Sequence, residues 1–400
     1  MKTSNPQKLG FSPERLDRLD STMSRYVDDG RIAGIQVSIS RHGELAHAAC
    51  FGKANIETET AVGMDTIFRI YSMTKPVASV AAMMLHEEGR FRLDDPVSRY
   101  IPWFEKMNVL DHAGTNGSAE LVPAESEIKI WHLLTHTSGL SYGFDDTDPL
   151  DQMYMTEISR ARTENPLLSL EAMVERIAAL PLAHHPGTAW RYSFATDVVG
   201  YLVQLIAGVP FDVFLQERIF EPLAMGDTGF YVPESKRNRF AVCYGPGEDG
   251  GLAVVPDLPP DHKFLKPGGL ISGGGGLVST GPDYMRFARM LLNGGALGGV
   301  RLLGRKTMEL MTMEHLGGAL HPFDDPAYGF GLGFAILTDV AATRIAGSVG
   351  SYGWAGAANT YFWVDPVEDL IAILMLQYMP NNTHPVVPDF RTGVYQALIG

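Results

Sequence analysis

Cysteine is nearly absent from this 400-residue chain: Cys50 and Cys243 are the only two. Two are too few for a disulfide framework, and neither sits in the C-x-x-C spacing of a metal site. Basic residues are also scarce, with 32 Lys and Arg against 46 Asp and Glu and a net charge of −14. Nucleic acid and anionic membranes both reward clustered cations, so neither is an expected partner. No apolar run reaches the roughly 18–20 residues needed to cross a bilayer. Met1-Lys2-Thr3-Ser4-Asn5-Pro6-Gln7-Lys8 has no apolar core of a secretory signal, so a cytoplasmic location is expected. What is plentiful is apolar residues, 45% of the chain, and turn formers, 43 Gly and 25 Pro. Such a chain can bury a large core, as one big domain or two lobes, with many surface loops.

The two ends carry the clearest strand signals. Ser12 and Pro13 open a helix in which Leu16, Leu19, Met23, Tyr26 and Val27 recur at helical spacing. Ile35, Val37 and Ile39 alternate with polar residues as in a half-buried strand. His42-Gly43 then turns the chain back through Glu44 to Phe51. Near the C-terminus, Gly356 to Val364 and Leu370 to Leu376 read as strands around the turn Asp365-Pro366-Val367-Glu368, and Pro388 to Ile399 as a closing helix. One antiparallel sheet assembled from both ends satisfies this pattern. The expected fold is therefore α/β, with a lobe from about 1–71 plus 286–400. A mainly helical lobe, about 72–285, is inserted in it, and Gly245 to Lys266 is a long surface loop. The groove between the lobes is the expected site.

Ser72-Met73-Thr74-Lys75, followed by Pro76 and the apolar run Val77 to Leu85, is the sharpest chemical motif. Residues three apart on a helix share a face, so the Lys75 amine can reach the Ser72 hydroxyl. A helix start also offers free N–H groups and a positive dipole end to an oxyanion. The motif is short, and Ser126-Glu127-Ile128-Lys129 repeats it, though between Glu125 and Glu127 and without an apolar helix of its own. A second nucleophile candidate is Ser141 in Gly139-Leu140-Ser141-Tyr142-Gly143. That pattern marks a strand-to-helix elbow, but Asp145-Asp146-Thr147-Asp148-Pro149 after it is loop composition. His132 and His136 lack a third ligand, His86-Glu87-Glu88-Gly89 lacks a second histidine, and Gly273 to Gly276 lacks the Lys-Ser/Thr of a phosphate loop. Packing or capping is the expected role of the histidines, and a turn before the Asp283 helix that of the glycines. Asn116-Gly117-Ser118 and Asn381-Asn382-Thr383 match a glycosylation pattern that carries no weight without export. No metal and no cofactor is expected.

Taken together, Ser72-Met73-Thr74-Lys75-Pro76, Leu93-Asp94-Asp95-Pro96-Val97 and Leu133-Leu134-Thr135-His136-Thr137-Ser138-Gly139-Leu140 resemble the class C β-lactamase and DD-peptidase superfamily of serine hydrolases. Pro186-Gly187, Trp190-Arg191-Tyr192-Ser193 and Gly274-Gly275-Gly276-Leu277-Val278-Ser279-Thr280 extend the likeness, which runs in order from about residue 10 to 380. The resemblance implies a β-lactamase/transpeptidase-like fold, with Ser72 as nucleophile and Lys75 and Tyr192 as its proton relay. The backbone N–H groups of Ser72 and Ala357 are then the oxyanion hole. The second motif is Tyr192-Ser193-Phe194, without the asparagine of the β-lactamases. Trp354, in Gly353-Trp354-Ala355-Gly356-Ala357, stands where they carry a cation. In both respects the sequence is similar to the family VIII carboxylesterases. A flat apolar wall in place of a cation favours neutral esters over acidic amides. Trp354, Gly356, Tyr142 and Phe194 are the expected substrate-binding residues. The expected activity is hydrolysis of short to medium acyl esters through an acyl-serine, and the expected partner is a small-molecule ester. A β-lactamase, DD-peptidase or amide hydrolase on the same scaffold, a non-catalytic ligand-binding relative and a homo-oligomer stay open.

Overall fold

The computed structural model describes residues 3–111, 120–248, 250–255, 264–318 and 320–400. Its frame is one eight-stranded antiparallel sheet: β1 Gly34–Arg41, β2 Glu44–Asn55, β3 Thr60–Ala61, β4 Tyr328–Phe330, β5 Ala335–Leu337, β6 Tyr352–Ala355, β7 Tyr361–Asp365 and β8 Leu370–Leu376. The order across the sheet is β4-β5-β6-β7-β8-β1-β2-β3, so the last strand in the chain pairs with the first. Ile35 faces Leu376 and Arg41 faces Leu370 across that seam. The β1–β2 turn is the two residues His42 and Gly43, both at positive φ (52° and 71°), the geometry that matches strand twist in a tight hairpin.

All eight residues of β1 are buried, not the expected half. Its apolar residues pack with the two terminal helices, α1 (Pro13–Asp28) and the closing helix Val386–Ala397, through Leu16, Leu19, Met23, Phe390 and Val394. Gln36, Ser38 and Ser40 alternate with these on the other side, where the helix Gly281–Leu292 packs: Ser40 accepts from Arg289 of that helix at 3.0 Å, and Gln36 donates to the Gly63 carbonyl at 2.7 Å. Alternation marked two faces correctly, but helices cover both. Position 286 lies inside Gly281–Leu292, so the segment packed on the sheet begins at Gly281.

Ser12 caps α1 by accepting the Arg15 N–H, with Pro13 as its first residue. Between β3 and β4 the chain is mainly helical. α2 (Thr74–Glu87) is buried on all sides from Thr74 to Leu85, as a helix without a polar face must be. α3 (Pro149–Glu164) and α4 (Ala195–Ala207) complete the elements that carry the site; Gly281–Leu292 and Val386–Ala397 are α5 and α6. Gly356 to Val364 is not one strand. Gly356–Thr360 is a turn closed by a Gly356 N–H to Thr360 carbonyl bond of 2.7 Å, and the strands lie on either side. In the expected 245–266 loop, Tyr244–Pro246 pairs with Leu252–Val254, while positions 249 and 256–263 fall outside the described residues, as does Asn116-Gly117-Ser118. Among the described residues no single helix is long and apolar enough to cross a membrane.

Candidate active site

Ser72 lies at the junction of a short 3₁₀ turn, Tyr71–Met73, and α2. Three residues per turn align positions i and i+3, and the Lys75 Nζ stands 3.2 Å from the Ser72 Oγ. Lys75 is only 1% exposed, and among the described residues it has no carboxylate partner. A buried ammonium needs other partners. Nζ donates to the Gly274 carbonyl at 2.7 Å and lies 4.5 Å from the Tyr192 ring centroid and 5.1 Å from that of Tyr142.

The segment before Ser72 is fixed from two directions. Phe68–Arg69 pairs with Val278–Ser279, and the Ile70 N–H donates to the Leu277 carbonyl at 3.1 Å. The Tyr284 hydroxyl of α5 donates to the Met73 carbonyl at 2.9 Å. Tyr71 is held at φ 41°, a left-handed conformation that costs a bulky residue about 1–3 kcal/mol. The Gly356–Thr360 turn rests on the same segment. A Cβ on Gly356 would lie 2.5 Å from the Ile70 carbonyl and 2.2 Å from Thr360 Oγ1, so only glycine lets the turn come this close. Neither the Ser72 nor the Ala357 N–H donates to a backbone carbonyl among the described residues.

Tyr192 sits over Lys75 within a cluster of rings: Tyr142 at 5.3 Å, His136 at 5.0 Å and Trp354 at 5.5 Å between centroids. The Trp354 indole N–H points at the Tyr192 hydroxyl, 3.4 Å away, so this donor is directed at the tyrosine and not left for a ligand. His136 is buried below, its Nδ1 3.1 Å from the Ser193 hydroxyl. Burial, with the Lys75 charge adding to it, holds the His136 imidazole well below its ordinary pKa and so neutral. Burial, followed by the charges of Asp197 and Tyr192, pushes the Tyr142 phenol well above its ordinary value. Phe194 is 5% exposed and packs against Tyr142, ring centroids 4.2 Å apart.

Ser141 is buried and committed elsewhere. Its hydroxyl donates to Asp151 of α3 and accepts from Arg191 Nε at 2.7 Å, while Arg191 Nη2 reaches Asp151 at 2.8 Å and Asp148 at 2.5 Å. Burial opposes the Asp151 charge, but the bonds from Ser141 and Arg191 outweigh it and keep the carboxyl below its ordinary value. This is a structural clamp on the loop that carries Tyr142. Ser126 is exposed, and Lys129 precedes the short helix Ile130–Leu134, pairing with Asp94. His132 accepts the Lys129 N–H at 3.0 Å, a capping role.

The Gly273 to Gly276 run is more than a turn. Gly274 presents its carbonyl to Lys75 and its N–H to Asp197 Oδ1 at 3.3 Å; a Cβ there would lie 2.4 Å from Asp197 Oδ2. Asp197 is 1% exposed. Four glycines in a row were the available signal of close backbone approach; no residue pattern announced Asp197 itself.

The family described as Beta-lactamase matches residues 19–394. An uncharacterized protein of Mycobacterium tuberculosis is 36% identical over 377 residues, which cover 92% of this chain and 91% of that protein. Esterase EstB of Burkholderia gladioli is 30% identical over 396 residues and 94% of both chains. Among solved structures, EstCE1, a hydrolase with promiscuous acyltransferase activity, superposes with a TM-score of 0.80 at 27% identity, covering 96% of this chain and 99% of its own.

Proposed function

Because the chain belongs to the β-lactamase family, we propose that it is a serine carboxylesterase working through an acyl-Ser72 intermediate. The observation that carries this reading is the Ser72 Oγ held 3.2 Å from the buried Lys75 Nζ beneath Tyr192. Ser72 attacks the ester carbonyl while the Lys75–Tyr192 pair takes its proton and returns it to the departing alcohol. The backbone N–H groups of Ser72 and Ala357 meet the oxyanion, each such donor being worth about 2.7–4 kcal/mol in a transition state. Water, activated by the same pair, then releases the acid. The sheet lobe and the helical lobe act as one catalytic domain, and the substrate is a small-molecule ester.

Trp354 favours esters over β-lactams. Where a cation would pair with a substrate carboxylate, the site presents an indole whose one N–H is turned to Tyr192. A nitrophenyl ester series and a chromogenic cephalosporin, assayed with native protein, Ser72→Ala and Ser141→Ala, test the assignment. Ester turnover is expected in the native protein and in Ser141→Ala, with a loss of at least about 10³-fold in Ser72→Ala. Turnover that survives Ser72→Ala and dies in Ser141→Ala overturns it. Rapid cephalosporin hydrolysis beside feeble ester hydrolysis overturns the esterase reading in favour of a β-lactamase.

A further inference from the structure

Two phenylalanines stand at the mouth of the site with most of their surface in water: Phe144 is 71% exposed and Phe323 64%. They come from loops nearly 180 positions apart in the chain. Phe144 stacks on Tyr142, ring centroids 4.5 Å apart and planes 9° apart. Phe323 stacks on Trp354 at 6.2 Å and 20° and meets the edge of Trp190 at 4.8 Å. Both approach Tyr192, Phe144 to 6.1 Å and Phe323 to 5.6 Å. Among the described residues no ring contact joins the Tyr142–Phe144 pair to the Trp354–Phe323 pair. Two aromatic walls thus converge on Tyr192, whose ring lies over Lys75.

Folding does not account for these placements. Apolar surface left in water contributes nothing to the core. Phe323 is also held at φ 55°, with Asp324 after it at 57°, a conformation that strains a bulky side chain without burying it. The Phe144 loop is equally constrained, since Asp151 Oδ2 accepts both the Phe144 and Asp145 N–H groups, at 3.1 and 3.0 Å. Each loop therefore uses backbone restraint to hold one exposed ring in place. Exposed carboxylates flank both rings, Asp145 and Asp146 on one side and Asp324 and Asp325 on the other. An acidic substrate group would meet like charge at either wall.

Resting on the esterase reading, we infer that Phe144 and Phe323 form a clamp that selects uncharged esters bearing a flat aromatic group beside the scissile bond. Aromatic rings gain from offset or edge contacts with other rings beyond their buried area, and a saturated ring of the same size does not. The aromatic group can enter on the acyl or on the alcohol side, and matched substrates separate the two. Methyl phenylacetate against methyl cyclohexylacetate reads the acyl side; benzyl acetate against cyclohexylmethyl acetate reads the alcohol side.

In the wild type, kcat/KM for the aromatic member is expected to exceed its saturated partner by about tenfold on one side. In the Phe144→Leu, Phe323→Leu double variant, which keeps apolar bulk, that ratio falls to about one, mainly through KM. A wild-type ratio near one on both sides overturns the clamp, and so does a preference that survives the double variant. Turnover of all four esters without aromatic preference sinks the clamp and leaves the esterase reading standing. No turnover of any of them, together with no labelling of Ser72 by a fluorophosphonate, sinks both.

Discussion

Ser72 and Ser141 sit in equally short motifs, and hydrogen bonding separates them. The Ser72 hydroxyl faces a buried amine, while the Ser141 hydroxyl donates a hydrogen bond to Asp151 and accepts one from Arg191. Replacing Ser141 takes one hydrogen bond from Asp151 and one from Arg191 Nε, though the two stay paired with each other, and a lost buried bond of this kind costs about 1–3 kcal/mol. Ser141→Ala is therefore expected to lower stability by about that amount in urea unfolding, while ester turnover stays within about tenfold of native. At this scale the Ser72–Lys75 pair was legible from residue type and spacing, while Tyr192 and Trp354 came only from the family resemblance. Asp197, the Gly274 carbonyl and the exposed Phe144 and Phe323 were not legible. A carbonyl has no sequence signature, and a single Asp or Phe takes its meaning from what packs beside it.

Among the elements, those that shape the site are held by backbone contacts between distant segments. The Gly356–Thr360 turn lies against Ile70, two residues before Ser72, and nothing larger than Gly356 fits that approach. Gly356→Ala must push the turn away from Ile70 or strain both. If the Ala357 N–H serves the oxyanion as proposed, the expected signature is a fall in kcat of at least about tenfold with little change in KM. An unchanged kcat would remove this turn from the proposed mechanism. Helix and strand positions followed from pattern: the Ser12-Pro13 start, the His42-Gly43 hairpin and the uninterrupted β8 all occur as expected. The split of Gly356 to Val364 into a turn and a strand did not follow, because Gly356 takes its role from the approach of Ile70, a segment far away in sequence.

For the molecule as a whole, acid is the revealing variable. Burial, with the Lys129 charge second, pulls His132 down from 6.5 to about 4, and His136 is also held well below its ordinary value. A histidine kept neutral in the fold binds its proton only after unfolding. Between about pH 6.5 and 4 the unfolded chain therefore takes up protons that the folded chain refuses, and stability falls as pH falls. His132 alone contributes on the order of 3 kcal/mol to that loss. The thermal midpoint is expected to drop steadily from pH 7 to 4, and less steeply in His132→Gln than in the native protein. Equal slopes would show that His132 takes no part.

Hydrophobic period, caps and turn residues act over a few positions, so the sequence by itself determined the terminal helices, the hairpin strands, the helical middle and the Ser72–Lys75 spacing. Which strand pairs with which depends on burial summed over the whole chain, as when β8 closes on β1 across more than 300 residues. Only the tertiary structure brought the Gly274 carbonyl to the buried amine, set Asp197 behind Gly274 and turned two phenylalanines to the mouth above. Those arrangements join segments that no local pattern links, and their energy comes from close approach in three dimensions.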